Sequence, residues 1–100
     1  MKFYEKNLEP LPEKIAGRGE VKGFEFNLIK RSDKVAIYSV KVSPKSKNLF
    51  YEVFLRVGSL MYGKEYYPRS SNFSSYAKST PSLERAEELF KFFENKTKRI

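Results

Sequence analysis

Two stretches of the chain alternate between the two sides of a strand, and a third between them reads as a strand by its residue types. In residues 24–31, FEFNLIKR, Phe24, Phe26 and Leu28 fall on one side, and Glu25, Asn27, Ile29 and Arg31 on the other. Residues 34–42, KVAIYSVKV, are rich in β-branched types, and the Ser32-Asp33 turn signal joins them to the first run as a hairpin. Residues 49–57, LFYEVFLRV, alternate again, with Leu49, Tyr51, Val53, Leu55 and Val57 opposite Phe50, Glu52, Phe54 and Arg56. Gly63 opens a shorter fourth strand at 64–67, KEYY, which Pro68 stops. From Leu83 the period becomes helical: Leu83, Ala86, Leu89/Phe90 and Phe93 recur on one face. Thr80 is a candidate N-cap with Pro81 in the first turn, and Ser82 is the alternative cap. Glu84, Glu87 and Glu88 lie early in this segment and Lys91, Lys96, Lys98 and Arg99 late, as the helix dipole favours.

These elements predict an α+β fold: a four-stranded, mainly antiparallel sheet with one C-terminal helix packed on one face, preceded by an irregular N-terminal arm. Residues 1–23 are the arm, broken by Pro10, Pro12 and three glycines, and residues 24–100 form a single β-β-β-β-α domain. The helix is the one long element able to cover an apolar sheet face. Phe24, Phe26, Leu28, Ala36, Tyr38, Val40, Val42, Tyr51, Val53 and Leu55 are therefore expected to face it. Residues 69–79, RSSNFSSYAKS, read as an ordered surface loop anchored by Phe73 and Tyr76.

Composition narrows the chemistry. The chain has 100 residues, nine Phe, seven Tyr and no Trp, which suits one domain with one core. It has no Cys and no His, so disulfides, thiolate or imidazole metal sites, Ser–His–Asp triads and Cys–His nucleophiles are excluded. Asp33 is its one aspartate, against an Asp-rich two-metal centre. No metal, cofactor, small-molecule substrate or catalytic residue is expected. Twenty Lys and Arg against 12 acids leave a net charge of +8, a field that attracts polyanions. No run is apolar enough for a membrane span, and MKFYEKNLEP does not read as a signal peptide, so a cytoplasmic protein without a membrane partner is expected.

The sheet face away from the helix is the candidate site. Alternation assigns it Ile29, Arg31, Ile37, Ser39, Lys41, Phe50, Phe54 and Arg56, with Glu25, Asn27 and Glu52. Such a face fits single-stranded DNA or RNA, with Phe50 and Phe54 stacking on bases and Arg31, Lys41 and Arg56 on phosphates. Lys45, Lys47 and Arg69 in the loops would extend the track. The same face is apolar enough to be buried instead, against a second copy, a protein partner or the chain's own arm. The serines of 69–79 could hold phosphate oxygens or satisfy their own turns. GRGEVKG at 17–23 matches no phosphate-binding loop.

DKVAIYSVKV at 33–42, LFYEVFLRVGSL at 49–60 and ERAEELFKFFENKT at 84–97 together resemble the WGR domain. The matching residues are Arg56-Val57-Gly58, Ala86, Phe90, Phe93, Lys96 and Thr97, although the Trp of that family's signature has no counterpart here. The resemblance implies a small sheet-plus-helix module that contacts DNA. KEYYPRSSNF and SLERAEELF are also similar to small proteins of bacterial phages and mobile elements. Two functions follow as expectations: a non-enzymatic nucleic-acid-binding module, or a structural, accessory or inhibitory protein that docks on another protein through its apolar sheet face or arm.

Overall fold

A computed structural model describes residues 8–17, 21–43, 45, 47–59, 63–68 and 76–98. In chain order its elements are β1 (Lys14–Ala16), β2 (Glu25–Arg31), β3 (Val35–Lys41), β4 (Phe50–Leu55), β5 (Val57–Ser59), β6 (Lys64–Tyr66), β7 (Ala77–Thr80) and α1 (Leu83–Lys98). The three runs read as strands form the middle of a five-stranded antiparallel sheet of order β1-β2-β3-β4-β7. Ser32 shapes the tight β2–β3 turn: its Oγ accepts from the backbone N–H groups of Lys34 and Val35, each at 3.2 Å. The architecture is the expected α+β plan, with a strand added at each edge. The arm supplies β1, and the end of the serine-rich stretch supplies β7. The expected fourth strand lies elsewhere, since β6 pairs with β5 in a separate two-stranded sheet.

Register decides which side chains share a face, because cross-strand partners point the same way. Val40 pairs with Phe26 and Phe50, and Ala36 pairs with Arg31 and Phe54. Ile37 pairs with Lys30 and Val53, and Val35 with Leu55. The helix covers the second set. Ala86, Leu89, Phe90 and Phe93 are buried, and Lys30 pairs with Glu87 at 3.0 Å while its ammonium lies 4.5 Å from the centre of the Phe90 ring. Val53 and Leu55 thus meet the helix side as expected. Phe26, Leu28, Ala36, Tyr38 and Val40 lie on the opposite face, which corrects the expected helix-facing set.

A β-bulge between Leu28 and Lys30 makes a separate change at the end of β2. The extra residue breaks the period of two, so Arg31 moves to the Tyr38 side and Lys30 takes the helix side. The helix-facing set itself differs because β4 is apolar on both faces, so its alternation does not fix its parity relative to β3. The sheet is a central layer with cover on both sides.

Ser82 caps α1: its Oγ accepts from the Arg85 N–H at 3.1 Å, and its carbonyl from Ala86 N–H at 3.0 Å. Thr80 instead ends β7. The face away from the helix is covered by the arm and by the residues after β6. Leu8 is buried, Glu9 exchanges backbone hydrogen bonds with Gly63 and Glu65, and the Tyr67 ring sits on Phe26, Tyr38 and Phe54 with centroids 4.8–5.4 Å apart. At Gly58 a Cβ would strike Leu8 and lie 2.9 Å from the Lys64 carbonyl oxygen, so the arm and the small sheet meet there only because that side chain is missing.

Candidate functional site

The expected site residues divide into three groups. Phe54, Arg56 and Arg31 are structural. Phe54 is fully buried, stacked on Tyr38 with the rings 5.8 Å apart and 11° from parallel, so it offers no face to a base. Arg56 lies between β4 and β5, where Nε and Nη2 donate to the two carboxylate oxygens of Glu65 at 3.1 and 2.5 Å. Its Nη1 donates to the Ser32 carbonyl at 2.6 Å, tying the β2–β3 turn to β6. Such a fork is occupied by one internal carboxylate rather than presented to a phosphate. Arg31, turned by the bulge, donates to the Leu11 carbonyl at 2.8 Å and holds the arm.

The second group stays accessible. Lys45 and Lys47 are exposed in the β3–β4 connection, and Lys41, at the end of β3, is half-buried opposite Glu25. Phe50 is half-buried against the core, with part of its ring at this same end of the sheet. Arg69 lies outside the described residues, as do Phe73 and the serines at 70, 71, 74 and 75. The expected stacking platform is therefore not assembled as an open surface. The covered face is closed by the chain's own arm and by Tyr67.

Inside that face lies a polar layer the alternation did not reveal. Tyr67 donates to Glu52 at 2.6 Å, and Tyr38 donates to the Pro12 carbonyl at 2.7 Å. Burial raises the Glu52 carboxyl above its usual range, opposed by the hydrogen bond from Tyr67. Burial also raises both phenols, Tyr38 to about 12, while Arg31 pulls the other way on Tyr38. These groups are bound to one another or to the backbone under the arm, so they hold the layer together. Among the described residues no group of three or more acids could hold a metal ion, and no helix is long and apolar enough to cross a membrane.

The accessible cations have a signal in the sequence that alternation alone does not bring out. From residue 34 to residue 51 the chain carries Lys34, Lys41, Lys45 and Lys47 and no acid. Three of those lysines fall at one end of the sheet, where Val42 and Leu49 are also exposed, 48% and 39%. This end combines positive charge with small patches of apolar surface and has little negative charge to neutralise it, Glu25 being the nearest acid by register. No family model matches the chain, and no curated protein or solved structure matches it significantly.

Proposed function

We propose that this protein is a small, non-enzymatic nucleic-acid-binding module of the cytoplasm that grips its ligand with the β3–β4 end of the sheet. The observation that carries the reading is the set of lysines left free of the fold's interior. Arg31 and Arg56 are absorbed by the arm and by Glu65, whereas Lys45 and Lys47 are exposed at one end, with Lys41 half-buried beside them opposite Glu25. The overall charge of +8 draws a polyanion toward that end. The resemblance of the strand and helix segments to the WGR domain points the same way. The test is a titration of labelled DNA and RNA across salt, with the wild type and a Lys45→Ala/Lys47→Ala variant. Binding that weakens with salt, and a shallower salt dependence in the variant, are expected. Absence of salt-dependent binding by the wild type removes the reading.

A second reading, docking on another protein, draws support from the helix. Phe92, in the middle of α1, leaves 54% of its surface exposed, the largest apolar side chain so placed among the described residues. A mass measurement in solution, and its change in a Phe92→Ser variant, tests whether that surface joins copies of this chain.

A further inference from the structure

Resting on the nucleic-acid reading, we infer that the β1–β2 connection is the second half of the binding surface, and that Lys22, carried on its turn, is a phosphate contact beside Lys41, Lys45 and Lys47. The first observation is topological. Ala16 stands opposite Glu25, and Glu25 opposite Lys41, so β1, β2 and β3 share a last row at one end of the sheet. The connection 17–24 leaves the sheet at that row, as does the connection 42–49 that carries Lys45 and Lys47. With strands about 4.8 Å apart, the two connections lie roughly 10 Å, two strand spacings, from one another. A nucleic-acid backbone, at about 3.4 Å per nucleotide along its axis, bridges them in about three nucleotides.

The second observation is how the turn holds Lys22. The Phe24 N–H donates to the Val21 carbonyl at 2.9 Å, closing a β-turn with Lys22 and Gly23 at its centre. Gly23 has a φ of 93°, as the third position of a type II turn requires. The Gly17 N–H donates to the Phe24 carbonyl at 2.9 Å, and a Cβ on Gly17 would collide with the Val21 carbonyl oxygen. GRGEVKG matches no phosphate-binding sequence, yet two of its glycines fold the connection back on itself and leave Lys22 exposed at the corner. Lys30, Arg56 and Arg85 are taken up in ion pairs, whereas among the described pairs Lys22, Lys41, Lys45 and Lys47 take no part. Against these four cations stand Glu25 in the last row and Glu84 in the first turn of α1, so the end stays positive. Arg18 and Glu20 of the same connection lie outside the described residues, and their charges cancel.

The experiment titrates a labelled DNA duplex and a labelled single-stranded RNA of the same length, by anisotropy, before and after a fourfold rise in salt. Lys22→Gln removes one charge at this end of the sheet, and Lys34→Gln removes one in the β2–β3 turn at the opposite end. With four phosphate contacts at roughly 0.9 each, the rise weakens duplex binding about 150-fold for the wild type and about 40-fold for Lys22→Gln. On the single strand, at roughly 0.7 each, the corresponding losses are about 50-fold and about 20-fold. Lys34→Gln follows the wild type, and Lys22→Arg restores the wild-type slope. The probe bound more tightly decides which nucleic acid supplies the backbone. Lys22 is exposed, so its variants keep the fold, and an unchanged thermal midpoint confirms it. A wild-type slope in Lys22→Gln, or an equal fall in Lys34→Gln, overturns this inference while salt-dependent binding by the wild type leaves the nucleic-acid reading standing. No salt-dependent binding to either probe removes both.

Discussion

Arg56 illustrates how far a residue's type is from its role. By alternation it is a surface cation on a strand; in the fold it is a clamp. Its side chain is 15% exposed and that of its partner Glu65 only 5%. Removing one member leaves the other charged and buried, so Arg56→Ala is expected to cost about 3–5 kcal/mol of stability in urea unfolding. The double variant Arg56→Met/Glu65→Leu should recover most of that loss, because no orphaned charge remains. A second residue-scale expectation concerns Tyr38. Its folded pKa, about 12, stands above the ordinary 10.0, chiefly through burial. The folded state therefore keeps the phenol neutral after the unfolded chain has begun to ionise. That contribution is complete below pH 10 and disappears as pH rises through about 12, with Tyr67 shifted in the same direction. At about 1.4 kcal/mol per pKa unit the Tyr38 share is about 2–3 kcal/mol. Unfolding midpoints at neutral and strongly alkaline pH check it, with Tyr38→Phe expected to flatten the alkaline loss. Neither role is legible in the sequence, since Glu65 and Pro12 are reached only through tertiary contacts.

At the scale of elements, what could be read depended on length. β2, β3, β4 and α1 each carry six or more residues, enough for alternation, β-branched content or a helical period to mark their positions. β1 and β7 have three and four residues, too few to show one, and their partners select them: Ile15 sits opposite Phe26, and Ala77 opposite Phe54. The side of Arg31 is hidden by a local feature, the bulge at Ile29, and the helix-facing set by a compositional one, the two apolar faces of β4. Both faces need cover, and the arm provides the second. This makes Gly58 a sensitive joint. Gly58→Ala is expected to destabilise the fold by about 1–3 kcal/mol, because the added methyl collides with Leu8 and presses on the Lys64 carbonyl oxygen. Leu8→Ala alone also destabilises by removing a buried side chain. If Leu8 is the main obstacle, the double variant loses less than the two single losses added together. Strict additivity in urea unfolding would place the collision on the backbone instead. At the helix start, Ser82→Ala should cost about 1 kcal/mol, since the Arg85 N–H loses its acceptor. Glycine at the same position should cost only a few tenths.

Over the whole molecule, the two effects of salt run in opposite directions, and together they separate charge from ligand. A net charge of +8 on 100 residues repels itself in the compact state. Added salt screens that repulsion, so the free protein is expected to melt higher as salt rises. A duplex bound to the folded state stabilises it by mass action, by about 2.7 kcal/mol at a hundredfold excess over Kd. At about 4–8 °C per kcal/mol for a domain of this size, that is a rise of about 10–20 °C at low salt. The bound increment shrinks with salt as Kd weakens, while the free protein gains. The melting curves with and without DNA should therefore converge as salt increases. The Lys45→Ala/Lys47→Ala variant, with two fewer charges at the β3–β4 end, should show a smaller rise with DNA and a weaker dependence of the free protein on salt. Its interior is untouched, because neither lysine packs into the core. A scan of wild type and variant at several salt concentrations, with and without the duplex, tests both trends together. If DNA leaves the melting temperature of the wild type unchanged at low salt, the charge serves only to keep the molecule apart from its own copies, and the surface of α1 around Phe92 becomes the place to look for a partner.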